Sequence, residues 1–87
     1  MRVDKFLQLS RLVKRRNAAN ALCSRGNVLL NNHPAKSGKT VNVGDRITIV
    51  SNRLPTEDTQ ELTYEILEVP TGNVSKTRAT TLYRLID

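Results

Sequence analysis

The chain has very little of the residue types that carry chemistry. Its 87 residues include one cysteine, one histidine and no tryptophan. A single cysteine excludes an internal disulfide, so nothing in the chain calls for an oxidising compartment. Cys23 and His33 stand alone, which leaves no metal-ligand spacing and no nucleophile–base set, and no phosphate-cradling GxxxxGK[ST] run occurs. Cys23, beside Leu22, reads as a small buried hydrophobe, and His33 as a solvated turn residue or a minor contact to whatever the chain binds. Neither an enzyme nor a cofactor is expected. No apolar run reaches the roughly 18 residues of a membrane span. The first residues place Asp4, Lys5 and Gln8 among the apolar ones and lack the apolar stretch of a secretory signal. A cytoplasmic protein is expected.

Carboxylates are also scarce, but only in one half. Residues 1–39 hold nine basic residues and one acid, whereas residues 40–87 hold five basic and seven acidic ones. The net charge of +6 is therefore concentrated at one end. With almost no acids between them, the cations cannot be accounted for by i,i+4 ion pairing. Their most natural partner is a phosphate backbone. Among the first 26 residues arginine outnumbers lysine five to two, which suits forked contacts to phosphate. Membrane lipid is the rival polyanion. The apolar stripes are narrow and tryptophan is missing, so a bilayer-surface helix fits less well.

Helical spacing organises this basic half. Val3, Phe6, Leu7 and Ser10 share one face of a first helix, and Ala18, Ala21 and Leu22 share a face of a second. Arg11 to Arg16 join the two, with Leu12 and Val13 anchoring the joint. Asn17 suits the N-cap of the second helix, Arg25 its last turn and Gly26 the residue after it. Val28 to Leu30 reads as a strand, Asn31-Asn32 as a tight turn, and His33-Pro34-Ala35 as a returning edge segment. Lys36 to Lys39 form a polar loop, and Val43-Gly44-Asp45 a turn into the strand Arg46 to Val50, with Ile47 and Ile49 inward. Ser51 to Thr63 reads as an exposed loop carrying Glu57, Asp58 and Glu61. Leu62, Tyr64 and Ile66 alternate as a strand pairing with the preceding one. Ala79, Leu82, Tyr83 and Ile86 then recur at helical spacing, with Ser75 as N-cap, so a short C-terminal helix is expected. The fold class is α+β: two N-terminal helices packed on a small, mainly antiparallel, twisted sheet.

The candidate RNA-binding residues are Arg2, Lys5, Arg11, Lys14, Arg15, Arg16, Arg25, Lys36 and Lys39. The lone Phe6, Tyr64 and Tyr83 rings argue against a base-stacking platform. A small helix-turn-helix-like DNA-binding regulator is the alternative. It needs a recognition helix, yet the second helix offers only Asn20, Ser24 and Arg25 outside its apolar face. A structured RNA held by backbone and shape is the stronger reading.

The run R-x-D-K-F-L-x-x-S-R-L-x-K-R-R spans Arg2 to Arg16. It is followed by A-x-x-x-x-x-x-G-x-V-x-x-N, from Ala19 through Gly26 and Val28 to Asn31. Together they resemble the S-four-type RNA-binding domain, named after a small-subunit ribosomal protein, and Val43-Gly44-Asp45 matches that family's turn into its next strand. The resemblance covers roughly residues 1–50. Residues 51–87 form a strand, loop and tail extension with no motif that matches residue by residue. A nearly stand-alone copy of the module, opening on R-x-D-K-F-L, is similar to the RqcP family of bacterial ribosome-associated quality control factors and to the fifteen-kilodalton heat-shock proteins. Eighty-seven residues are one domain's worth of chain, so a single domain over residues 1–87 is expected, and a monomer. The resemblance implies that it would bind the 23S rRNA of a large ribosomal subunit that still holds peptidyl-tRNA, and support alanine tailing by an RqcH-type NFACT protein.

Overall fold

The computed structural model describes residues 1–51, 60–72 and 74–86. The chain opens with α1 (Val3–Leu9) and α2 (Arg16–Ser24), then runs through β1 (Val28–Leu30), β2 (His33–Pro34), β3 (Arg46–Ser51) and β4 (Gln60–Ile66), and closes with α3 (Lys76–Ala79) and β5 (Tyr83–Ile86). The strands form one five-stranded sheet in the order β2-β1-β3-β4-β5, and every pairing is antiparallel. No helix among the described residues is long and apolar enough to cross a membrane.

The register explains the core. Val28 lies opposite Ile49, Leu30 opposite Ile47, and Ile47 opposite Tyr64, so these side chains share one face of the sheet. Against that face α1 sets Val3, Phe6 and Leu7, all fully buried, as the helical spacing of the sequence requires. Ser10, the fourth member of that stripe, is also buried, and its hydroxyl donates to the Leu7 carbonyl at 3.2 Å. Leu12 and Val13 pack on the cluster from the joint, as expected.

α2 sits in a different rotation from the one the sequence suggests. Ala19 and Cys23, one helical turn apart, are the buried pair, while Leu22 is only partly buried and Ala18 and Ala21 are exposed. The N-cap also lies two residues earlier than expected, at Arg15, in extended backbone with no side-chain cap; the helix begins at Arg16, so Asn17 lies inside it. A helix carrying alanines on several sides offers little hydrophobic contrast, and the close approach to α1 selects the Ala19–Cys23 edge. Burial raises the Cys23 thiol above its ordinary value of 9.0, with the Asp4 carboxylate adding to the effect. It is therefore a protonated core group.

The turns follow their residue chemistry. Asn31 and Asn32 both take positive φ, at 52° and 69°, and reverse the chain into β2, the edge strand that Pro34 requires. Gly26, at φ 76°, ends α2, and Gly44, at φ 93°, makes the turn into β3. On β3, Ile47 is inward as expected and Ile49 is partly buried, but Thr48 on the opposite face is buried too, its hydroxyl 2.9 Å from that of Thr63.

Two expectations need correction in the second half. The loop read over Ser51 to Thr63 is shorter: Ser51 ends β3 and β4 already begins at Gln60, so Glu61 sits on a strand opposite Val50. Glu57 and Asp58 lie outside the described residues. The C-terminal helix is present with Ser75 as its cap, the side chain accepting from the Arg78 N–H at 3.2 Å, but it is a single turn. Tyr83 to Ile86, read at helical spacing, form β5 against β4 instead. Tyr64 and Tyr83 meet edge to face at 5.3 Å on that pair, and Arg84 bonds Glu65 at 2.8 Å across it. Cross-strand partners outweigh the weak helix propensity of the Thr80-Thr81 segment.

Candidate nucleic-acid interface

The cationic half folds around one carboxylate. Asp4 lies in the first turn of α1 and is only 2% exposed. Its Oδ1 accepts from the Lys5 backbone N–H at 2.8 Å and from Arg2 Nε at 3.2 Å. Its Oδ2 faces Arg2 Nη2 and Arg16 Nε, each at 3.4 Å. Arg2 precedes α1 and Arg16 opens α2, so one buried acid pins guanidinium groups from the starts of both helices. Both arginines remain about half exposed, at 51% and 48%. Their stems are fixed and part of each fork stays in solvent, the arrangement a phosphate receptor needs. A carboxylate in the first turn of α1 also suits the positive end of the helix dipole. Its isolation among nine cations was the signal of a larger role.

The Lys36–Lys39 loop is fastened to the same place. The Val3 N–H donates to the Lys39 carbonyl at 2.8 Å, the Asp4 N–H to the Ser37 carbonyl at 3.3 Å, and Arg2 forms a bridge with Thr40. Gly38 lies beneath the Arg2 guanidinium: a Cβ there would stand 3.8 Å from Arg2 Cζ. The loop thus returns to the helix pair, as its charge suggested, and Gly38 joins Asp4 as a contributor that sequence reasoning did not single out.

Lys5, Arg11, Lys14 and Arg15 are exposed on α1 and the joint and make no ion pair with any described residue. Lys36 and Lys39 are in the same position on their loop. Arg11 holds φ 61°, the left-handed conformation that terminates α1. The first turn of α2 contains no acid, so the positive end of its dipole adds to the Arg15–Arg16 field. Arg25 stands apart. As C-cap of α2 it lies nine residues beyond Arg16, about 13 Å along the axis at 1.5 Å per residue. It belongs to the far end of the helix and not to the Asp4 cluster.

What this surface can do is bind polyanions: exposed cations gather around the two helix starts and the lysine loop, with one buried carboxylate among them. Among the described residues, no group of three or more His, Cys, Asp or Glu side chains is placed to hold a metal ion.

Comparison with known proteins places the chain. The S4 domain family matches residues 1–47. That match covers the two helices, the joint and the lysine loop. The chain is 39% identical over 85 residues to the RQC P-site tRNA stabilizing factor of Halalkalibacterium halodurans, covering 98% of this chain and 89% of the relative. It is 41% identical over 83 residues to the protein of that name from Helicobacter pylori strain J99, covering 95% and 92%. The trimeric structure of Vibrio cholerae Heat Shock Protein 15 superposes with a TM-score of 0.83 at 29% identity, over 99% of this chain and 81% of that one. The chain belongs to the S4-domain family and, within it, to the group of RQC P-site tRNA stabilizing factors.

Proposed function

We propose that this protein is a non-catalytic RNA-binding factor that associates with the large ribosomal subunit and stabilises tRNA in the P site during ribosome-associated quality control. The observation that carries this reading is the cation surface pinned by Asp4, in a chain that matches P-site tRNA stabilizing factors over nearly its whole length. In the finer form of the proposal, Arg2, Lys5, Arg11, Lys14, Arg15, Arg16, Lys36 and Lys39 hold phosphates of 23S rRNA and of peptidyl-tRNA, and Arg25 extends the contact along α2. Retaining the tRNA on a stalled, split subunit supports alanine tailing by an RqcH-type NFACT protein.

The test is co-sedimentation with purified large subunits, with and without peptidyl-tRNA, across a salt series. Phosphate contacts make log K fall linearly with log salt. Lys14→Ala should shallow that slope by about one unit. The reading fails if the protein does not sediment with the subunit or if its affinity ignores salt. Tight binding to a defined duplex DNA in place of the subunit would support the DNA-regulator alternative.

A further inference from the structure

Beside the Asp4 cluster, the sheet edge carries a second feature that phosphate binding alone does not use. A groove of about 810 Å³ runs between β2 and the Lys36–Lys39 loop. Leu30, Pro34 and Ala35 provide its apolar lining, and His33, Lys36 and Lys39 its polar rim. Leu30 and Ala35 are each only 6% exposed, so they form a floor, while His33 and Pro34 are exposed at the edge. The volume is that of a small-molecule site. Lysines on the rim give it the same sign of charge as the helix surface. Gly38, packed under Arg2, makes the groove and that surface continuous.

We infer that this groove takes one unstacked nucleotide of the bound RNA, its base stacked on the His33 imidazole over the Leu30–Ala35 floor and its phosphate between Lys36 and Lys39. This rests on the RNA-binding reading above and adds a subsite to it. Unpaired bases in RNA loops and bulges are commonly held by stacking on a side-chain ring, and histidine is one of the rings so used. No other ring is available near the cations. Phe6 is fully buried, and Tyr64 and Tyr83 meet edge to face on β4 and β5, toward the opposite edge of the sheet. A paired stem would present only its backbone here and leave the apolar floor empty. A peptide strand is the poorer occupant, because β2 offers two residues of edge and Pro34 has no N–H to donate.

The experiment compares two RNA hairpins that differ by a single-nucleotide bulge placed within reach of the groove, with 2-aminopurine as the bulged base. The protein should bind the bulged hairpin at least about fivefold more tightly, the lower end of what one base stacked on a side-chain ring contributes. Binding should also change the 2-aminopurine fluorescence. His33→Ala should abolish the preference and the fluorescence change while leaving affinity for the paired hairpin unaltered. His33→Phe, which keeps a ring and loses the imidazole nitrogens, should restore the preference. Equal affinity of the wild type for the two hairpins overturns the groove proposal and leaves the RNA-binding reading standing. Failure to bind either hairpin, or the large subunit, counts against the RNA-binding reading itself. A preference that survives His33→Ala in a protein of unchanged melting temperature overturns the stacking role.

Discussion

Arg11 is the residue whose replacement separates folding from binding most cleanly. It occupies the position after α1 where the backbone turns left-handed, at φ 61°, a site that glycine fills without strain. For an L-residue with a β-carbon this conformation costs about 1–2 kcal/mol. Arg11→Gly removes that cost but adds freedom to the unfolded chain, which takes back about 0.4–1 kcal/mol. The net expectation is a gain of about 0.5–1 kcal/mol. For a domain of this size each kcal/mol moves the melting midpoint by about 4–8 °C, so the variant should melt about 2–8 °C higher. If Arg11 holds a phosphate as proposed, RNA affinity should fall, with a salt slope shallower by about one unit. Arg11→Ala is the control: it loses the same charge but keeps the strained backbone, so its affinity should drop without the rise in melting temperature. Calorimetry and a salt-titrated binding assay on the three proteins read both quantities. A lower melting temperature for Arg11→Gly would refute the strain argument. A more stable Arg11→Gly that binds RNA with unchanged slope would remove Arg11 from the interface.

Asp4→Asn poses a sign test. Counting charge alone, deleting the only acid of the basic half should tighten RNA binding. If Asp4 acts by fixing Arg2 and Arg16, binding should weaken despite the added net charge, with stability lower by about 1.5–3 kcal/mol for the lost charged hydrogen bonds; tighter binding with intact folding would sink the positioning role. The Cys23 thiol, raised by burial, contributes stability that is complete below its ordinary value of 9.0 and is lost as pH climbs toward its folded value. Denaturant melts should therefore show stability falling above pH 9, with a smaller decline in Cys23→Ala, and an unchanged alkaline slope in that variant would show that the thiol is not the group responsible.

Much of this architecture was legible because the residues concerned act locally. The Asn31-Asn32 reversal, Gly26 after α2, the Gly44 turn and the Val3–Phe6–Leu7–Ser10 stripe each follow from side-chain chemistry or spacing within a few positions. What escaped depends on partners distant in sequence. Ala79, Leu82, Tyr83 and Ile86 fit a helical period, and only the pairing with β4 makes the last two part of a strand. The rotation of α2 depends on which of its small residues meets α1, and alanines on several sides do not announce that. Of the interface, the cations were apparent from charge alone. Asp4 as their common anchor was not, because its partner Arg16 is 12 residues away and on another helix. Gly38 under Arg2 escaped for a similar reason, since no feature of a glycine in a polar loop indicates which side chain will lie across it.

The sheet register has a consequence for how small a piece of this chain can act. The S4 match ends at residue 47, two residues into β3. Yet β3 pairs with β4 through six residue pairs and with β1 through three. Ile66 and Leu82, both essentially unexposed, close the same core that seats α1. The stretch recognisable as a motif is therefore smaller than the stretch that builds this sheet and core. A peptide cut at the end of the motif would keep ten of the fourteen cations and lose the partners that hold them in place, becoming a flexible polycation that binds any nucleic acid weakly. Native-state hydrogen exchange should show the amides of α1 and those of β4 opening together, as parts of one unit.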